Sequence, residues 1–137
     1  MSLPPETAVP IIPPMGDGPR VLIVEDDPET RRFYTDTLTR DGFQVDQAHN
    51  GHQALDKALH AVPDLVLMDI AVPGMDGIEL CGRLRAADET RTVPILAVTG
   101  YGDRHYVDRV LAAGANHVLI KPLDPDVLIR EARRLLG

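Results

Sequence analysis

Leu65-Val66-Leu67-Met68 is an unbroken apolar run that stops at a carboxylate, Asp69. Such a run fits a strand buried on both faces, as in a parallel sheet. The Pro73-Gly74 and Asp76-Gly77 pairs that follow require a turning loop. Asp69 is therefore expected at the carboxyl end of a central strand, where open α/β sheets place their ligand sites. A carboxylate at that position can cap a helix, hold a metal or act as a nucleophile.

The rest of the chain repeats this pattern. Residues 1–19 carry six of the twelve prolines and no periodicity, so they read as a flexible or extended Pro-rich leader. Val21-Leu22-Ile23-Val24 is a short buried strand ending in Glu25-Asp26-Asp27-Pro28. Asp27 suits a helix N-cap and Pro28 the first helical position, with the helix running to about Arg40. Phe43 to Ala48 alternates, as a half-exposed edge strand does. Asn50-Gly51 reads as a turn and Gln53 to Ala61 as a second helix, broken by Pro63. A third helix is expected from about Gly77 to Ala87, a fourth strand over Pro94 to Val98, and a fourth helix ending at Gly114. His117 to Ile120 makes a fifth strand, and Asp124-Pro125 opens a last helix to Leu136. Five alternations of strand and helix specify a doubly wound parallel sheet of order 2-1-3-4-5 with five helices, here a single domain over 20–137.

A chain of 137 residues supports one domain with a real core. A net charge of −7 argues against a general nucleic-acid or membrane-surface binder, which needs clustered Lys and Arg. The single cysteine, Cys81, lies in a helical pattern and is expected in the core. No apolar run approaches membrane-spanning length and no secretion signal is visible, so a cytoplasmic home is expected.

The sheet order brings strand ends one, three, four and five together. They carry Glu25 and Asp26, Asp69, Thr99, and Lys121 respectively. Two adjacent acids repel unless a cation answers them. The acids suit a hard, oxygen-liganded ion such as Mg²⁺. Asp69 can attack phosphorus, with the ion, Lys121 and Thr99 holding the phosphoryl oxygens.

Four stretches carry a family resemblance: Val24-Glu25-Asp26-Asp27, Met68 to Gly77, Val98-Thr99-Gly100 and Lys121-Pro122. Over residues 20–136 the chain resembles the CheY-like response-regulator receiver domain of two-component phosphorelays. The resemblance implies that Asp69 accepts a phosphoryl group from a histidine kinase or phosphotransfer protein. It implies that Asp26, Asp69 and the main-chain carbonyl of Ala71 ligate Mg²⁺, with Glu25 acting mainly through water. Thr99 would draw toward the phosphoryl group, Lys121 would pair with it, and the Lys121-Pro122 bond would be cis. Such a domain catalyses its own phosphorylation and dephosphorylation, with no independent substrate turnover expected. Many receivers carry Tyr or Phe three residues before the lysine, where this chain has Val118, so the aromatic part of the switch is missing. Ala71 and Tyr101 occupy the positions that tune dephosphorylation in the family, and slow loss of the phosphoryl group follows from them. The family also leaves room for a homodimer through helix four, strand five and helix five.

Two other functions fit the same fold. An Asp-nucleophile phosphatase would need a second acid two residues after Asp69, where Ala71 stands. A flavin carrier would need a Ser/Thr/Gly phosphate loop after the first strand and flanking aromatics, where this chain has acids and no Trp. A direct nucleic-acid or membrane partner is not expected.

Overall fold

The structure, a computed structural model, describes residues 17–100 and 104–137. The leader up to residue 16 and the dephosphorylation position Tyr101 lie outside the described residues. The strands are β1 (Arg20–Val24), β2 (Gln44–Ala48), β3 (Leu65–Asp69), β4 (Ile95–Thr99) and β5 (His117–Ile120). The helices are α1 (Pro28–Arg40), α2 (Gly51–His60), α3 (Gly77–Ala86), α4 (Arg104–Ala113) and α5 (Pro125–Leu136). The strands form one parallel sheet of order β2-β1-β3-β4-β5, the expected doubly wound topology.

Alternation along the strands divides the core in two. Leu22, Val24, Val66, Met68, Ile95 and Ala97 pack with residues of α2, α3 and α4, among them the buried Cys81. Val21, Ile23, Leu65, Leu67, Leu96 and Val98 pack with Tyr34 and Leu38 of α1 and Leu128 and Ala132 of α5. This is the period-two consequence of a pleated strand buried on both faces. β2, at the edge, keeps only Ala48 fully buried. Gly18 and Pro19, read from the sequence as leader, are tied to the turn before β2. Gly18 N–H donates to Gly42 O at 3.2 Å, and Gln44 N–H donates to Pro19 O at 3.0 Å.

The helix starts follow their caps. Asp27 accepts from Thr30 N–H at 2.9 Å, with Pro28 behind it. Asp124 does the same for α5, accepting from Asp126 N–H at 2.7 Å. The Asn50-Gly51 pair is not a turn, as its composition suggested. Asn50 caps α2, accepting from Gln53 N–H at 2.8 Å, and the helix begins at Gly51, two residues early. A Cβ on Gly51 would lie 2.4 Å from the Met75 carbonyl oxygen, so the glycine is there for close packing. The fourth strand is displaced by one residue and ends on Thr99, whose carbonyl accepts from Lys121 N–H at 2.9 Å.

α3 is seated directly on the end of β3. Gly77 N–H donates to Ile70 O at 2.7 Å, and a Cβ on Gly77 would stand 2.7 Å from Ile70 Cα. Asp76 caps the helix through Glu79 N–H at 2.9 Å. The loop carrying Ala71 is thereby held at both ends, one at Asp69 and one at Gly77.

Candidate active site

The strand alternation selects which strand-end side chains meet. Val21 and Ile23 face α1 and α5, and Glu25 continues that series. Leu65 and Leu67 lead in the same way to Asp69, and Leu119 leads to Lys121. Three residues from three strands thus reach the end of the sheet on one face. Lys121 Nζ stands 2.6 Å from Asp69 Oδ2 and 3.6 Å from Glu25 Oε1. Asp69 and Glu25 are buried, at 6% and 1% exposure. Asp69 Oδ1 also accepts from Ala71 N–H at 2.9 Å. The Lys121-Pro122 bond is cis.

The other expected members are placed less tightly. Thr99 is buried at the end of β4, one residue beyond the Val98 that pairs with Asp69. Its hydroxyl makes no hydrogen bond to the charged trio among the described residues. Asp26 is exposed beyond the end of β1, and its side chain accepts no hydrogen bond among them. Ala71 is exposed, and no hydrogen bond among the described residues takes up its carbonyl. Val118 pairs with Ala97 and packs on the α2–α4 side of the core, away from the Glu25, Asp69 and Lys121 side chains.

Electrostatics show what the trio lacks. Burial, and then the charge of Asp69, push the Glu25 carboxyl up from 4.5 to about 7. Glu25 Oε2 accepts from Asp27 N–H at 3.2 Å, but Oε1 is buried with no hydrogen-bond partner. Burial works against the charge of Lys121. The hydrogen bond and charge of Asp69, with Glu25 behind it, outweigh this and raise the lysine's pKa. A cation at the acids would relieve the repulsion and give the orphaned Glu25 oxygen a partner, directly or through water. No cluster of three or more His, Cys, Asp or Glu side chains able to hold a metal occurs among the described residues. Mg²⁺ does not need one, since it binds through one or two carboxylates and keeps several waters. The donor set of carboxylates and the free Ala71 carbonyl fits it.

Two residues that the sequence did not single out belong to this neighbourhood. Arg31 Nη1 donates to Glu25 O at 2.9 Å and to Asp26 O at 3.3 Å. Tyr34 is buried, and its phenol is pushed up by burial and by the charges of Glu25 and Asp69. Its ring helps line a cavity of about 570 Å³ with Phe33, Lys121, Pro122 and Leu123. Side chains on a helix lean toward its N-terminus, which is how position 34 reaches back to the strand ends.

Comparison with known proteins gives one answer. Residues 21–133 match the model of the response regulator receiver domain. The transcriptional regulatory protein ResD of Bacillus subtilis is 33% identical over 117 residues, covering 85% of this chain. The chain spans only about half of ResD, 48% of its length. The receiver domain of sensor histidine kinase PA1611 from Pseudomonas aeruginosa, solved with magnesium coordinated in its active site cleft, is 32% identical with a TM-score of 0.83. That match covers 88% of this chain and 98% of the other. The chemotaxis protein CheY4 of Vibrio cholerae is 30% identical with a TM-score of 0.80, covering 88% and 98%. No helix among the described residues is long and apolar enough to cross a membrane. The pair of buried carboxylates with Lys121 against them thus sits in a fold, and on a sequence, that place this chain in the response regulator receiver domain family of two-component signalling.

Proposed function

We propose that Asp69 is the phosphoryl acceptor, taking its phosphoryl group from a histidine of a sensor kinase or phosphotransfer protein. The observation that carries this is the Lys121 ammonium held against a buried carboxylate at 2.6 Å. A carboxylate oxygen of Asp69 attacks phosphorus. The P–N bond to the donor imidazole breaks, its electron pair stays on the ring nitrogen, and that nitrogen gains a proton. Lys121 is already within reach of the oxygens that would gain charge, and the Thr99 hydroxyl, free of competing partners among the described residues, can donate to another. Burial of Asp69 limits water at the reacting oxygen.

Asp26, Asp69 and the Ala71 carbonyl would hold Mg²⁺, with Glu25 at or behind this shell. Bound there, the ion would neutralise phosphoryl oxygens as charge develops. The domain would act as a switch and not turn over a separate substrate. Residues 20–137, with Gly18 and Pro19 tied to them, would form the receiver and the residues before them a leader, working in the cytoplasm. The output would pass through Thr99 without a swinging aromatic, because Val118 has no ring and sits in the α2–α4 core. α4, β5 and α5 would offer the surface for a homodimer or a downstream protein, and neither nucleic acid nor membrane would be a direct partner.

Asp69→Asn tests the assignment. The amide is a poor nucleophile and a poor ligand for a hard cation. Mass spectrometry after treatment with a small acyl phosphate and Mg²⁺ should show one added phosphoryl group on the wild type and none on the variant. An equally phosphorylated variant would remove Asp69 from the role.

A further inference from the structure

Glu25 continues the alternation of β1 and points to the α1/α5 face with Asp69 and Lys121. The next residue, Asp26, would point to the opposite face if the chain stayed extended. For both acids to serve one cation, the backbone must turn between them, and it does bend at Asp26. Successive carbonyls of an extended strand point to opposite sides, out of reach of a single donor. Here one nitrogen, Arg31 Nη1, donates to Glu25 O at 2.9 Å and to Asp26 O at 3.3 Å. The helix turn that carries the arginine is tied to β2 through its main chain. Gln47 Nε2 donates to Thr35 Oγ1 at 2.8 Å, and that hydroxyl donates to Arg31 O at 2.8 Å.

We infer that Arg31 is a positioning residue for the cation site: by gathering two successive carbonyls it locks the bend that lets Glu25 and Asp26 act together. The inference rests on the reading that these acids hold Mg²⁺. Two effects of Arg31 have opposite signs. Its positive charge, close to the site, repels a cation, so by charge alone its loss would tighten Mg²⁺ binding. Its hold on the backbone prearranges the acids, so by position its loss weakens binding. The proposal is that position wins.

The test titrates Mg²⁺ into the full chain, following amide NMR shifts near residues 25–27 and 69–71, for wild type, Arg31→Ala, Arg31→Lys and Asp26→Ala. Loss of an outer-shell partner typically costs about 10- to 100-fold in metal affinity. Arg31→Ala should raise the Mg²⁺ Kd by about tenfold, the low end of that range. Arg31→Lys keeps the charge and one donor nitrogen, but the shorter side chain stops short of the place Nη1 occupies between the two carbonyls, and it should fall between wild type and Ala. The rate of phosphorylation by a small acyl phosphate should recover at saturating Mg²⁺, as expected for a residue that sets cation binding and not the transfer step. Unchanged or tighter Mg²⁺ binding in Arg31→Ala would overturn the inference. Should that variant fail to fold, wild-type affinity in Arg31→Lys would overturn it equally. Asp26→Ala separates the two levels. If it binds Mg²⁺ like wild type, the cation-site reading itself falls, whereas loss in Asp26→Ala with none in the Arg31 variants removes only the role of Arg31.

Discussion

The ammonium of Lys121 stands 2.6 Å from Asp69 Oδ2, a contact that joins the ends of β5 and β3 across β4. Without it, two buried carboxylates would face each other with no positive charge between them. Breaking one side of a fully buried pair costs about 3–5 kcal/mol. Lys121 is about a third exposed, so Lys121→Met should cost less, about 2 kcal/mol at pH 8 without Mg²⁺. Urea unfolding should show the deficit shrinking when Mg²⁺ is added or the pH is lowered. A deficit independent of both would mean that the lysine stabilises through packing alone.

Glu25 sets a pH dependence. Its carboxyl is raised from 4.5 to about 7 by burial and by Asp69. Between these values the folded chain keeps a proton that the unfolded chain releases, so this group makes stability fall as pH rises through that window. Its contribution is fully present below about 4.5 and lost above about 7. Mg²⁺ competes with that proton, so its apparent affinity should drop as the pH falls below 7. Thermal midpoints across pH 5–8 without Mg²⁺ should slope less for Glu25→Gln than for wild type. Parallel profiles would show that the slope comes from other groups.

Loss of the phosphoryl group should be slow. The exposed methyl of Ala71 offers no donor or acceptor to orient an attacking water, and its N–H is already committed to Asp69. Ala71→Asn supplies such a group and should speed decay of the phosphoprotein in Mg²⁺ several-fold. Tyr101→Ala, if the ring shields the site, should speed it too. Unchanged decay in both would remove these positions from control of the lifetime.

Two glycines of α3 predict opposite outcomes. A Cβ on Gly77 would stand 2.7 Å from Ile70 Cα and 3.3 Å from Asp69 O, so backbone must move. Gly77→Ala should cost about 1–3 kcal/mol and, by displacing the end of β3, slow phosphorylation as well. A Cβ on Gly82 meets nothing within 4 Å. Gly82→Ala should stabilise by about 0.5–1 kcal/mol with phosphorylation unchanged. Chemical denaturation of the two variants side by side checks both signs.

The fold was legible because its signals are local. The apolar runs, the Asp-Pro helix starts and the strand–helix rhythm each act within a few residues, and together they leave one topology. Asn50-Gly51 misled because the same dipeptide serves a turn or a cap, and the Met75 contact that decides it is remote in sequence. The site was legible as a set of residue types at strand ends. The family resemblance separated the roles of Glu25 and Asp26, but that Glu25 is buried and Asp26 exposed was not read, although the alternation through Val21 and Ile23 carries it. Arg31 gave no signal because it acts on backbone carbonyls, which no residue code displays.

The shared face of Glu25, Asp69 and Lys121 is a matter of counting. Each follows the last core residue of its strand on that face by two positions: Ile23, Leu67 and Leu119. Deleting a single residue inside β1, β3 or β5 would turn the terminal side chain to the wrong side of the sheet, whatever its chemistry. Inserting two into the native strand would keep the side but carry the group about 7 Å too far. The loops at the opposite end of the sheet are under no such rule. Across related chains, changes of length should therefore collect in those loops and be absent from these three strands, even where the strand residues themselves are freely exchanged.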